Sequence, residues 1–372
     1  MRIPTALTLL VALGLPTATR ADDKDAADLV VLDGSFAQVT LLGLLQVEAA
    51  PYLGDDALLV NGDPADASGF RLRRARFGFK GYAWGDVDFE LTVDGASDGM
   101  KLHDAWVAWR GITGLGVVVG ARTVPFSRWA LADSGAEALS ERPLGVRALA
   151  PFRQVGLTIE GDVGDGIARY WLGAYNGFTR RSSFGLGFEE ATALDGNRFT
   201  RLAYVARAEL APLGRLGEGL PDFERGGLRL GLGGGFYYDD GKSISTLGWE
   251  IDAVMKVAGL HLALEWLNDS AEPTTQPTTD TSIPTSIDRM ALAAEVGYLV
   301  CSDKLGVTAR FELLDDDKDV DNGGDQIAIG GGVQYYLHRQ HLKALLEFTH
   351  REELHGASLD NDALLLQVQL GL

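Results

Sequence analysis

Along most of this chain apolar and polar side chains alternate one by one, in runs of about nine to fifteen residues divided by turn-forming stretches. From Leu305 to Leu313 the odd positions are apolar, while the even ones include Thr308, Arg310 and Glu312. From Ile327 to Leu337 the second set is Gly330, Gly332, Gln334 and Tyr336, and from Leu342 to Phe348 it is Lys343, Leu345 and Glu347. Leu247, Trp249, Ile251, Ala253, Met255 and Val257 form another apolar face of the same period. Successive side chains of a strand point to opposite faces, so each run predicts a ribbon with one greasy and one wet side. Sixteen are expected, over 34–48, 70–83, 87–95, 102–110, 115–123, 153–161, 166–176, 199–211, 226–239, 245–256, 259–267, 287–300, 303–314, 325–337, 340–351 and 362–372.

The connections between these runs alternate long and short. Tight ones fall near 84–86, 111–114, 162–165, 257–258, 301–302 and 338–339; long ones cover 49–69, 124–152, 177–198, 268–286 and 352–361. Two break the rule: 212–225 is long where a turn is due, and 240–243 is short where a loop is due. An even strand count with loops at one end and turns at the other predicts an all-β fold, a transmembrane antiparallel β-barrel. Closure is required, because an open sheet edge in hydrocarbon leaves backbone groups unpaired at a cost of several kcal/mol each. The stretch from Thr123 to Gly156 has no clean alternation and is rich in charge. A connection of that length is expected to have a function, and it is read as an inward-folded constriction loop.

Composition adds the compartment. Arg2 followed by an apolar run at Leu7–Leu15 and a small-residue site at Thr19-Arg20-Ala21 predicts a signal peptide over 1–21. An acidic leader over 22–33 and a barrel domain over 34–372 follow. Loss of the signal removes Arg2 and Arg20 and no acids, taking the formal charge of −19 down by two, to −21. That balance argues against nucleic acid as a partner. Cys301 is the single cysteine, which rules out an internal disulfide framework. No later run of about 18 apolar residues predicts a spanning helix.

The candidate chemistry is cationic. If Ala75, Phe77 and Phe79 face lipid, then Arg74, Arg76 and Lys80 point into the lumen, with Arg71 and Arg73 near the outer rim. Such a stripe attracts anions, or it pairs with Asp88, Glu90 and Asp94 on the next strand. Arg122, Arg128, Arg142, Arg147 and Arg153 flank or lie in the long loop beside Asp133, Glu137 and Glu141, where they either select or brace. The seven tryptophans (84, 106, 109, 129, 171, 249 and 266) are read as interfacial aromatics. Asp317, Asp319 and Asp321 have the alternation of a calcium loop, but Asn322 replaces its glycine, so an exposed acidic loop is expected. Gly231–Gly235 is followed by Phe236 and by no helix, unlike a dinucleotide loop. The six histidines include no HExxH pair, and no serine sits at a nucleophile elbow, so neither a catalytic constellation nor a resident metal or cofactor is expected.

The chain resembles the phosphate-selective porin O and P family of the Gram-negative outer membrane. The resemblance is carried by RRARFGFKGYAWGDVDFELTVDGA (73–96), LHDAWVAWRG (102–111), VGARTVPFSRWALADSGAEALSERPL with ALAPFRQVGL (119–157), YWLGAYNG (170–177), VTARFELLDDD (307–317) and GGDQIAIGGGVQYYLHRQHLKALLEFTH (323–350). It implies a sixteen-stranded, homotrimeric porin in the outer-membrane lipid, passing small anions such as phosphate by diffusion. The acidic mature chain keeps a general or cation-preferring porin open as an alternative. An outer-membrane hydrolase with an Asp–His or Ser–His pair at the rim, or a non-conducting structural barrel, are the remaining readings.

Overall fold

The computed structural model describes residues 29–53, 68–96, 99–164, 166–180, 187–190, 201–217, 219–241, 244–273, 286–301, 303–356 and 362–372. The expected signal peptide and most of the acidic leader lie outside them. A short strand β1 (Val30–Asp33) precedes sixteen longer ones. These are β2 (Ala37–Leu53), β3 (Gly69–Ala83), β4 (Val87–Asp94), β5 (Lys101–Ile112), β6 (Leu115–Thr123), β7 (Arg153–Val163), β8 (Ala168–Asn176) and β9 (Leu202–Leu210) in the first half. The second half holds β10 (Arg229–Asp240), β11 (Ile244–Val257), β12 (Leu260–Pro273), β13 (Ile287–Cys301), β14 (Leu305–Asp315), β15 (Gln326–His338), β16 (Leu342–Glu353) and β17 (Ala363–Gly371). Two short helices, α1 (Arg128–Leu131) and α2 (Leu144–Leu149), interrupt the path between β6 and β7.

Each long strand pairs antiparallel with its sequence neighbours, and β17 pairs with β2, setting Leu370 opposite Leu45. The sheet is therefore a closed barrel of sixteen strands, and its backbone groups find partners without an edge. β1 adds one detail at the seam. The last rung of β17 sets Gly371 opposite Leu44; below it, β1 takes over the same side of β2, with Val30 opposite Thr40. The tail of the acidic leader thus extends the seam where β17 runs out.

The two faces follow the alternation. Each of the sixteen barrel strands turns at least one large apolar side chain outward, among them Phe77, Leu91, Val119, Leu172, Ile251 and Val368, all exposed. In a water-soluble protein that surface would be an aggregation hazard; around a closed barrel it is the lipid belt. The inward set is polar over much of the wall, as at Gln46, Glu48, Gln367 and Gln369. Along β8 to β14 the inward positions instead include Ala203, Val205, Tyr237, Ala263, Leu267, Ala291, Ala293 and Leu314. That apolar patch inside the tube has to be covered, and the segment after β6 covers it.

Candidate channel constriction

The last rung of the β6–β7 hairpin pairs Thr123 with Arg153. Residues 124–152 leave the ladder there and turn into the lumen. Ser127 caps α1, its Oγ accepting from Ala130 N at 3.0 Å. Val124, Phe126 and Trp129 around α1, with Leu144, Val146 and Leu149 of α2, are buried in one cluster with the apolar inner wall. Burying each such side chain is worth about 1.5–3 kcal/mol, so the loop is held by packing before any charge is counted. Gly145 shows how close the approach is: a Cβ there would lie 2.1 Å from the Ala291 Cβ on β13.

Polar wall groups then fix the loop backbone. Arg207 on β9 donates to Phe126 O at 2.6 Å, and Trp129 N donates to Glu265 on β12 at 3.2 Å. Gln369 on β17 donates to Gly135 O at 2.8 Å, Lys343 on β16 to Gly135 O at 3.1 Å, and Gln334 on β15 to Ala138 O at 2.9 Å. Ser140 N donates to Glu347 at 2.7 Å, Arg310 on β14 donates to Glu141 O at 2.7 Å, and Leu144 N bonds Glu312. These anchors run from β9 round to β17 and on to β2, where Gln46 donates to Ser134 O at 3.3 Å. The opposite wall, β4 to β8, keeps half-exposed inward side chains such as Glu90, Trp106, Arg122 and Trp171. The passage lies between that wall and the loop.

The candidate cations are distributed over this arrangement as follows. Arg74 is buried, donating to Gln46 Oε1 at 2.6 Å and to Glu141 at 3.2 Å. Arg76 donates to Asp94 at 3.0 Å and to Ser134 Oγ at 3.1 Å. Arg142 reaches the same Ser134 Oγ at 3.3 Å and also donates to Trp129 O at 2.7 Å. Arg153 donates to Asp104 at 3.1 Å, with Glu190 at 3.5 Å. Arg122 donates to Glu160 at 2.8 Å, and Arg128 ties α1 to Asp252 on β11. Arg147 lies in α2, half-buried, whereas Lys80 is exposed on the lumen face of β3, opposite Glu90.

Residues 52–221 match the family model described as phosphate-selective porin O and P. Over that stretch the chain is similar to the family. Among solved structures, an anion-selective porin from Comamonas acidovorans is similar, with TM-score 0.60 and 16% identity over 90% of this chain and 100% of that one. The outer-membrane channel DcaP of Acinetobacter baumannii has TM-score 0.60 and 13% identity, covering 91% and 99%. OmpT of Vibrio cholerae in a trimer form has TM-score 0.57 and 13% identity, covering 91% and 100%. No curated protein sequence matches the chain. The family match and the closed-barrel fold together support an outer-membrane porin.

In this porin several side chains depart from their expected places. Arg71 and Arg73 are not spare rim charges. A bulge between Gln46 and Val47 of β2 leaves Arg73 without a rung, since Gln46 faces Arg74 and Val47 faces Leu72. The extra residue shifts the parity, so Arg71 meets the inward Glu48 at 2.7 Å and Arg73 joins Arg74 on Glu141. Of the tryptophans, Trp249 and Trp266 do form an outward edge-to-face pair with ring centroids 5.4 Å apart. Trp106 and Trp171 face the lumen, however, and Trp129, on the loop itself, is buried against the inner wall. The long connection after β9 is a second missed element. Gly219 O accepts from Lys256 on β11 at 2.6 Å, and Phe223 packs edge-to-face on Tyr336 of β15 at 4.9 Å, so this segment folds across the turn end of the barrel. Its breach of the long–short rhythm was the only sign of it in the sequence.

The acidic loop after β14 also differs from a calcium loop. Asp319 N donates to Asp317 at 3.2 Å, while Asp321 turns toward Asp325 and toward His355 from the next outside loop. One atom from each of those three lies within 4.8 Å of the others, a set that could hold a cation outside the lumen.

Two loop carboxylates are shifted in opposite directions. Burial pushes the Glu141 carboxyl up, but Arg73 and Arg74 outweigh it and hold the group ionised far below the usual range. Burial pushes Glu137 up to about 7, with Arg142 and Arg310 pulling the other way. A folded value above the ordinary 4.5 means that Glu137 favours the docked loop fully below that pH and loses this contribution as pH rises through about 7. Current fluctuations from loop movement are accordingly expected to grow between about pH 6 and pH 8. Glu137→Gln should flatten that dependence in single-channel records; an unchanged pH profile would assign the effect elsewhere.

Proposed function

We propose that this porin passes small anions, phosphate-like ones included, by passive diffusion, and that Arg76 and Arg142 mark its selective point. One observation carries the reading: both guanidiniums donate to Ser134 Oγ, at 3.1 and 3.3 Å. Two like charges converging on one neutral hydroxyl are incompletely compensated, since Asp94 serves only Arg76 and Glu137 stands 3.6 Å from Arg142. A passing anion relieves that repulsion; a cation adds to it. Arg128 of the loop and Arg74 of β3 act as braces in this reading, because both are committed to buried carboxylates. Residues 1–21 serve as an export signal ahead of the 22–33 leader and the 34–372 barrel, and the chain assembles as a homotrimer, as the trimer form of the similar OmpT supports.

A general or cation-preferring pore is favoured by Asp133, exposed on the loop, and by the half-exposed Glu90 facing it across the passage. A rim hydrolase has less behind it. His350 Nδ1 does meet Asp362 at 2.6 Å, but on the outward parity of β16, and that pair supplies no nucleophile. In a planar bilayer with a salt gradient, the reversal potential is expected to have the anion sign, and Arg76→Gln should move it toward zero. A cation-sign potential in the unaltered porin would overturn the proposal.

A further inference from the structure

We propose that the wall facing the loop recognises planar organic anions, specifically aromatic carboxylates, at two stations built from an indole and a guanidinium. The inference rests on the anion reading above and narrows its substrate class. The first station is Trp106 on β5, with the Arg122 guanidinium 5.9 Å from the ring centroid. The second is Trp171 on β8, with Arg169 at 5.5 Å. Register places all four inside the tube: Trp106 is opposite Glu90 and Gly120, and Trp171 is opposite Glu160 and Arg207.

An indole has no structural reason to face a water-filled lumen. Lipid-facing and buried positions were both open to it, and Trp249 and Trp129 occupy such positions. Trp106 and Trp171 are instead half-exposed. On β6 the neighbour of Trp106 is Gly120, at φ 137, where a Cβ would lie 2.2 Å from Ala105 O. The position directly opposite on that strand therefore leaves the indole uncovered, and Arg122, two residues on, is the β6 side chain that reaches it. Each ring sits beside a cation whose own anchor leaves part of it accessible: Arg122 on Glu160 at 2.8 Å, and Arg169 on Glu209 at 2.5 Å. A compact anion uses only the guanidinium. An aromatic carboxylate uses both, with the carboxylate on the fork and the ring on the indole.

The stations are staggered along the passage. Trp106 lies level with Gly120, Gly156 and Tyr175, four residues along β8 from Trp171. At about 3.3 Å per residue that is about 13 Å of strand, so a solute leaving one station meets the other nearer the turn end.

The test is block of chloride current through the unaltered porin in a planar bilayer. Benzoate is expected to block at about tenfold lower concentration than acetate, the size of one aromatic stacking contact. Cyclohexanecarboxylate, equally greasy but without a ring face, should behave nearer to acetate. Trp106→Leu and Trp171→Leu should each remove part of the benzoate preference, and the pair together all of it, with the chloride reversal potential unchanged. Equal block by benzoate and acetate, or by benzoate and cyclohexanecarboxylate, overturns the stations and leaves the anion reading standing. A cation-sign reversal potential removes both.

Discussion

Replacing residues 124–152 with a two-residue Asn-Gly turn is expected to yield a closed barrel with several-fold higher single-channel conductance and weaker selectivity. The hairpin can be closed this way because Thr123 and Arg153 already form its last rung, and Asn-Gly is the preferred two-residue turn between antiparallel strands. No ladder hydrogen bond of the barrel is removed. The conductance rises because the segment that occupies the lumen against β9–β17 is gone.

The loss of selectivity follows from width more than from charge. The deleted stretch holds Arg128, Arg142 and Arg147 against Asp133, Glu137 and Glu141, and so is neutral by count. What the loop supplies is proximity: it brings Arg142 to Arg76 and forces an ion to pass near both. In a wider, water-filled tube, wall charges are screened over about 8–10 Å at ordinary salt, and an ion on the axis feels less of them. Unchanged conductance in the shortened chain would show that the narrowest point lies elsewhere, with the segment after β9 as the next candidate. Cleavage of that segment at Arg215 by trypsin added from the turn side would then raise the current.

Much of the barrel was legible in the sequence because its physics is local. A ribbon between lipid and water must alternate, and the segments at 305–313, 327–337 and 342–348 did so, with Ala328 and Leu345 as apolar inward positions. Other features depend on which residues lie across the ladder, and no single strand records that. The bulge at Arg73 is invisible in RLRRARFGFK, since its alternation is masked by a run of arginines. Trp106 and Trp171 were assigned by residue type to the interface, although the parity of their own strands already turned them inward. Composition misled where period would have served. Conversely, Leu267, Ala291 and Ala293 were an unread signal: apolar residues at inward positions require a covering element, and the loop is that element. Whether Arg74 or Arg128 is paired could not be read from sequence, because Glu141 and Asp252 lie 67 and 124 residues away.

Arg207→Met is expected to destabilise the barrel by about 3–5 kcal/mol, among the largest effects of any single substitution here. The Arg207 side chain is fully buried on the inner wall beneath α1. It donates to Glu209 at 2.8 Å, to Asp252 at 2.5 Å, to Glu250 and to Phe126 O. Removing it leaves three carboxylates in a poorly solvated pocket: Arg128 still reaches Asp252 and Glu209, and Arg169 reaches Glu209, but neither reaches Glu250. The entry of the loop loses a backbone anchor in the same step. Lysine should rescue little, since one ammonium cannot reproduce a planar fork spanning carboxylates on β9 and β11. Adding Glu250→Gln to Arg207→Met should recover part of the loss, because it removes one of the stranded charges. The measurement is urea unfolding of the refolded barrel in detergent, followed by tryptophan emission. A loss below about 1 kcal/mol would put this network in the class of solvated surface pairs, and the docking of the loop would then rest on its apolar cluster alone.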